Sequence, residues 1–105
     1  MASFGVRGSD VVVDVAVFRG LVDLMLDYAE LSEPAARLLS AERNVGGLTL
    51  DVVDPALRDE LEAALAWACD AAKAGGRSAR SGDDVAAPAR MVEGGRAVAA
   101  LFQQT

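Results

Sequence analysis

The sequence contains no histidine and a single cysteine, Cys69. Without histidine, Ser-His-Asp and Cys-His catalysis are excluded, and the side chain that titrates near neutral pH is missing. A common zinc ligand is missing too, and one thiol cannot form an internal disulfide or a cysteine-rich metal cage. We therefore predict that the protein is not an enzyme and holds no metal or cofactor. A lone thiol is also typical of a reducing, cytoplasmic location.

Long apolar runs and basic side chains are scarce as well. Nothing approaches the roughly 18 consecutive apolar residues that predict a membrane span. The N-terminal residues lack the pattern of a secretory signal, because the apolar stretch that follows them carries Asp14 and leads into further acids. Lysine and arginine number 10 against 16 aspartate and glutamate residues, for a net charge of −6. Since nucleic-acid binders normally gather cations on one face, we expect neither nucleic acid nor a membrane as partner.

What the chain does contain is enough apolar material for one domain. It has 105 residues, of which 52% are hydrophobic. That fraction is too high for intrinsic disorder, and the length suits a single buried core. We predict one domain over 1–105. Glycine and serine predict a loose lead-in over 1–9 and a flexible loop over 75–84.

Hydrophobic periodicity indicates helices along most of the chain. Two helix starts carry strong capping signals, in which Ser32 precedes Pro34 and Asp54 precedes Pro55. We therefore predict an all-α fold, either a small four-helix bundle or an orthogonal helical array. Its helices are expected near 10–31, 33–43, 55–74 and 85–102.

Two segments leave alternatives open. The segment 10–31 is apolar around well over half of a helical circumference, which is typical of a central helix or of one with an oligomer partner. Its start is rich in β-branched residues, so the alternative is an α+β fold with short strands at 11–18 and 48–53. In the last helix, Gly94 and Gly95 predict either a break or the close approach of a neighbouring backbone.

The functional candidates are acidic side chains and the only tryptophan. Three of the acids recur on one side of the first helix at spacings of four and three, and two belong to a second acidic stretch. The tryptophan lies at the edge of an apolar face, where interfaces often carry an anchor. The competing interpretation is a solvated helix face and a core tryptophan. The predicted partner-binding residues are Asp23, Asp27, Glu30, Asp51, Glu62 and Trp67.

These observations predict a non-catalytic protein–protein interaction module. Its most specific form is a small acidic inhibitor or neutraliser, similar in role to an antitoxin or immunity protein, that offers carboxylates to a basic partner. The alternative is a self-assembling structural protein, which would form a homodimer or higher oligomer through the 10–31 helix.

Overall fold

The computed structural model describes residues 2–76, 78 and 87–103. These residues form a three-stranded mixed sheet covered by four helices, so the fold is α+β and the predicted all-α class is wrong. Short 3₁₀ turns span Leu50–Val52 and Ala100–Gln103. In chain order the elements are β1 (Ala2–Val6), β2 (Ser9–Val13), α1 (Val15–Leu26), α2 (Glu33–Val45), β3 (Gly47–Thr49), α3 (Pro55–Lys73) and α4 (Pro88–Ala99).

A tight hairpin occupies the region expected to be a loose lead-in. β1 and β2 pair antiparallel, with Val6 opposite Ser9 across the two-residue turn Arg7-Gly8. Both turn residues have positive φ, 52° and 81°. A two-residue turn of this kind matches the right-handed twist of the paired strands, which makes it a favoured hairpin connection. Gly8 therefore closes a turn and does not loosen the chain.

The predicted helix over 10–31 is divided between two elements. Its β-branched start joins β2, which ends at Val13, and Asp14 then caps α1 by accepting the Ala16 N–H at 3.4 Å. The alternative prediction of a strand at 11–18 is therefore correct in that this region contains part of a strand. β2 nevertheless begins earlier, at Ser9, and ends earlier, at Val13. The first helix starts later than predicted because pairing with β1 satisfies the extended backbone of β2. It also ends at Leu26 and not at 31, so Glu30 lies beyond the helix.

The later helices agree with the capping signals. Ser32 Oγ accepts the Ala35 N–H at 3.4 Å, and Asp54 Oδ1 accepts the Ala56 N–H at 3.0 Å. α2 ends at Val45, and its C-cap residue Gly46 has a φ of 88° that turns the chain into β3. β3 runs parallel to β1, and the rest of the predicted strand at 48–53 is a 3₁₀ turn.

The predictions for the C-terminal third concern residues that the structure describes only in part. α4 begins at Pro88, and the predicted helix start at 85 lies outside the described residues. The predicted flexible loop 75–84 is also largely outside them. Within the part of the chain that the structure describes, no helix combines the length and apolarity needed to cross a membrane.

The core is built around α1. Phe18 packs against Phe4 of β1 with ring centroids 4.8 Å apart, and other faces of α1 meet α2, α3 and α4. Most of the apolar surplus that suggested an oligomer partner is therefore buried within one chain, although Val15 is 36% exposed. The buried apolar residues of α1 are Val17, Phe18, Leu21, Val22, Leu24 and Met25.

The double glycine of α4 marks close packing. α4 is unbroken, and a Cβ at Gly95 would lie 3.1 Å from the backbone carbonyl oxygen of Cys69 in α3. A Cβ at Gly94 would lie within 2.3 Å of Val17 Cγ1. Of the two predicted alternatives, the close neighbouring backbone is confirmed.

We expect Gly94→Ala to lower the free energy of unfolding by about 1–2 kcal/mol, because overpacking against Val17 exceeds the gain in helix propensity. Gly20→Ala in α1 is the matched control. There the added methyl meets only the flexible end of Met91, at 2.9 Å. That variant should gain about 0.5–1 kcal/mol. Urea unfolding of both variants tests this, and shifts of equal sign would contradict it.

Candidate functional site

Asp23 is buried and engaged inside the fold. Its side chain accepts two hydrogen bonds from Arg43 of α2, from Nε to Oδ1 at 2.8 Å and from Nη2 to Oδ2 at 3.2 Å. Asp23 is only 3% exposed. The bidentate pair therefore joins α1 to α2, and this carboxylate does not face a partner.

Asp51 and Glu62 hold the hairpin turn. Asp51 Oδ2 accepts the Gly8 N–H at 2.8 Å, and Glu62 Oε1 accepts Arg7 Nε at 3.0 Å. The Arg7 guanidinium also lies 5.9 Å from the ring centroid of Phe102, within the range of a cation–π contact. These two acids thus serve an internal connection between the turn and the helical layer.

Glu30 and Trp67 are brought together by Tyr28. The Tyr28 ring lies 5.8 Å from the Trp67 ring, and its hydroxyl donates to Glu30 Oε2 at 3.3 Å. Partial burial, together with the carboxylates of Glu30 and Glu60, raises the pKa of Tyr28 above its ordinary value. Trp67 is 40% exposed, and Asp27 is an exposed residue at the end of α1. These are the predicted residues that the fold leaves on the surface.

A groove of about 480 Å³ lies beside β3, and sequence reasoning missed it. We call it the β3 groove. Its walls come from one face of α2, from the 3₁₀ turn and from the start of α3. The available signal was weak, since Leu48-Thr49-Leu50 only hints at an extended segment. The lining residues are Leu38, Glu42, Gly47, Leu48, Thr49, Val52, Val53, Asp54 and Leu57.

The backbone of β3 faces this groove along one side. β3 is an edge strand, because the sheet order is β2-β1-β3. The Ser3 N–H donates to the Gly46 carbonyl at 3.1 Å, and Ser3 pairs with Gly47 in the parallel register. By the alternation of a parallel ladder, the N–H and C=O of Leu48 face β1. Those of Gly47 and Thr49 therefore face the outer edge, where no strand pairs with β3 among the described residues, and such an edge is a template for another strand.

Two carboxylates and one exposed valine mark the groove chemically. Glu42 belongs to the α2 wall, and Asp54 stands where α3 begins. Within residues 2–76, 78 and 87–103, no lysine or arginine forms an ion pair with either of them. Val52 is 83% exposed. The groove therefore offers apolar contact together with negative charge.

A second groove, of about 330 Å³, lies at the opposite sheet edge between β2 and α4. Arg90 of α4 and Asp14 both line it, and Arg90 Nη1 contacts Asp14 Oδ2 at 3.1 Å. The ion pair thus engages Arg90 and Asp14 with each other, and Glu93 is the other charged residue of the lining. The β3 groove is the stronger candidate for a binding site.

Cys69 does not supply a reactive group. Its side chain is fully buried, and burial raises the pKa of the thiol to about 12, with Lys73 opposing and Asp70 adding to the shift. At neutral pH Cys69 is therefore a neutral core thiol. Among the described residues, no three histidine, cysteine, aspartate or glutamate side chains form a cluster that could hold a metal ion.

Comparison with protein-family models, curated proteins and solved structures finds no match to this chain.

Proposed function

We propose that this protein is a non-catalytic interaction module that binds a basic partner protein in the β3 groove. The observation that carries the proposal is the combination of apolar walls, an open strand edge and two carboxylates in one concave site. Binding sites are commonly concave and mostly apolar, with a few polar groups that set orientation. An inhibitor or neutraliser, antitoxin- or immunity-like in role, is the specific form of this proposal.

The acidic character of the chain supports a basic partner. The net charge is −6, and such a field speeds the encounter with a cationic surface. Asp23, Asp51 and Glu62 bond to groups far away in the chain, so we assign the acidic contacts to Glu42 and Asp54. Asp54 also caps α3 through Oδ1, and it keeps its negative charge in that role. We retain Asp27, Glu30 and Trp67 as proposed outer contacts.

Self-assembly through the first helix is less well supported. Six of the apolar side chains that suggested it are buried in the core around α1. We also propose a cytoplasmic location, which the unpaired thiol of Cys69 supports.

A matched pair of exposed valines tests the proposal. Val52 lines the β3 groove and is 83% exposed, whereas Val45 at the end of α2 is 76% exposed and lies outside the lining. Tagged wild-type protein, Val52→Lys and Val45→Lys are used to capture partners from the source cells, and each captured protein is quantified by mass spectrometry. We expect Val52→Lys to lower recovery of the partner about tenfold or more, because apolar contact is lost and the negative charge is neutralised.

Val45→Lys should leave recovery at the wild-type level. Equal recovery by all three proteins would contradict binding in the β3 groove. Recovery of a second copy of this chain, sensitive to Val52→Lys, would show self-assembly instead. With the purified partner, affinity should fall as ionic strength rises, because salt screens the exposed carboxylates. Affinity that is indifferent to salt would contradict the basic partner.

A further inference from the structure

We infer that the occupant of the β3 groove is an extended peptide segment that pairs with β3 as a fourth strand and carries a basic side chain. This inference rests on the proposed function and specifies the partner's structure at the same site. It depends on three features of the groove: the direction of the β3 backbone, the glycine in its edge and the two carboxylates of its walls.

The backbone groups decide between an extended and a helical occupant. Gly47 and Thr49 together direct two N–H donors and two carbonyl acceptors away from β1. Covering these groups without hydrogen bonds would be costly, because buried backbone polar groups need partners. The interior of a helix has no free backbone groups to offer. An extended segment presents N–H and C=O groups along its edge and can satisfy all four, as in strand addition.

The glycine leaves space for a second backbone. Gly47 is at the edge of the sheet, and a Cβ built there would meet only Ser3 Oγ, at 3.9 Å. Gly47 therefore adds no side-chain bulk above or below the place where an incoming strand would pair with β3. Glycine within a strand often marks a place where another backbone approaches closely.

The walls specify the side chains of the segment. Successive side chains of a strand point to opposite faces, so one set would contact the apolar walls formed by Leu38, Val52 and Leu57. Glu42 and Asp54 lie on the same walls. An arginine or lysine in the segment would therefore meet a carboxylate. The expected segment therefore carries β-branched apolar residues at every second position. At least one arginine or lysine lies on the same face as these residues.

Amide hydrogen exchange of the wild-type protein tests the pairing directly. The probe is the N-acetylated, C-amidated pentapeptide valine-threonine-valine-threonine-arginine, in which both valines and the arginine lie on one face of the strand. It is added at increasing concentration to ¹⁵N-labelled protein. At saturation we expect exchange of the Gly47 and Thr49 amides to slow about tenfold or more, because each gains a hydrogen-bond partner. The Leu48 amide, which already faces β1, should change much less.

Three other results would overturn the inference. Chemical-shift changes at Val52 and Leu57 without slower exchange at Gly47 and Thr49 would show occupancy of the groove without strand pairing. The proposed function would still stand in that case, because the capture experiment with Val52→Lys tests it separately. Absence of probe binding in the millimolar range would reject this class of occupant. Equal binding of the same peptide with glutamate in place of arginine would reject the basic side chain.

A pair of variants at one position provides the second test. Thr49→Pro removes the N–H that faces the groove, and proline is tolerated in an edge strand whose N–H faces outward. The φ of Thr49 is −110°, so proline also requires a backbone adjustment, and slow exchange of the Leu48 amide in the free variant must show that the pairing with β1 is kept. Thr49→Val keeps the N–H and removes only the hydroxyl. We expect Thr49→Pro to bind the probe about tenfold more weakly than Thr49→Val. Circular dichroism of both variants checks the fold, and equal affinities in two folded variants would overturn the inference.

Discussion

Replacing Phe4 by alanine is expected to lower the free energy of unfolding by about 3–5 kcal/mol. Phe4 is completely buried in the middle of the central strand, and its ring packs against Phe18 of α1 with a 38° tilt. In the sheet it pairs with Val11 on one side and Leu48 on the other. Removing the ring would leave a cavity where the sheet meets the helical layer. A domain of this size has only about 5–15 kcal/mol of stability, so the loss would be severe.

Urea unfolding followed by circular dichroism measures this effect, and Val12→Ala is the control. Val12 is in β2, 59% exposed, and its truncation should cost no more than about 0.5 kcal/mol. If residues 1–9 were a loose lead-in, Phe4→Ala would be equally mild. A small effect at Phe4 would therefore contradict the three-stranded sheet.

Replacing Arg43 by methionine is expected to lower the free energy of unfolding by about 2–4 kcal/mol. The change removes two charge-assisted hydrogen bonds from the buried carboxylate of Asp23. The Arg43 side chain is 27% exposed, so much of its aliphatic stem is packed against the protein. Methionine keeps most of these apolar contacts. The cost comes mainly from a buried carboxylate that loses two charge-assisted hydrogen bonds.

Arg37→Met on the same helix is the matched control. Its ion pair with Glu33 is 2.6 Å long, but the two side chains are 78% and 76% exposed. An exposed pair one turn apart contributes about 0.3–0.5 kcal/mol, so this variant should stay close to the wild type. The double variant Asp23→Leu/Arg43→Met should recover much of the stability lost in Arg43→Met. Equal losses from Arg37→Met and Arg43→Met would show that burial of Asp23 is not the cause.

Features that depend on near neighbours in the chain could be predicted from the sequence. The caps at Ser32 and Asp54 are correct because each side chain bonds an N–H only two or three residues away. The close approach at Gly94 and Gly95 was one of two alternatives, and both follow from the same local fact that glycine lacks a Cβ. Helix location in α2 and α3 follows from the 3.6-residue period.

The strands could not be predicted in the same way. Val11–Val13 is apolar and β-branched, which suits a strand or the buried start of a helix, and its partner strand decides between them. β1 pairs with β3 across a long intervening segment, Ser3 with Gly47. Such pairing is a property of the folded chain and leaves little local signal. The β3 groove was missed for this reason, since its edge exists only when β3 is aligned beside β1.

The predicted partner-binding residues show the same division. Asp23 has the spacing of a surface acid, yet Arg43, 20 residues later, meets it in the interior. Asp51 and Glu62 are engaged by the hairpin turn, 43 and 55 residues away. Charge and helical spacing identify which side chains are acidic and roughly how they are arranged. They do not identify which basic group the fold will bring to each one.

The sequence by itself determined the chemical resources of this protein: an acidic chain without histidine, with one thiol and with two well-capped helices. Those properties belong to the residues and their immediate neighbours, and they hold in any fold. Only the tertiary structure decided which acidic side chains bond to groups of the same chain. It also decided where the outer edge of β3 lies beside apolar walls. Both depend on contacts between distant segments, because burial and strand pairing are set by the neighbours that folding supplies.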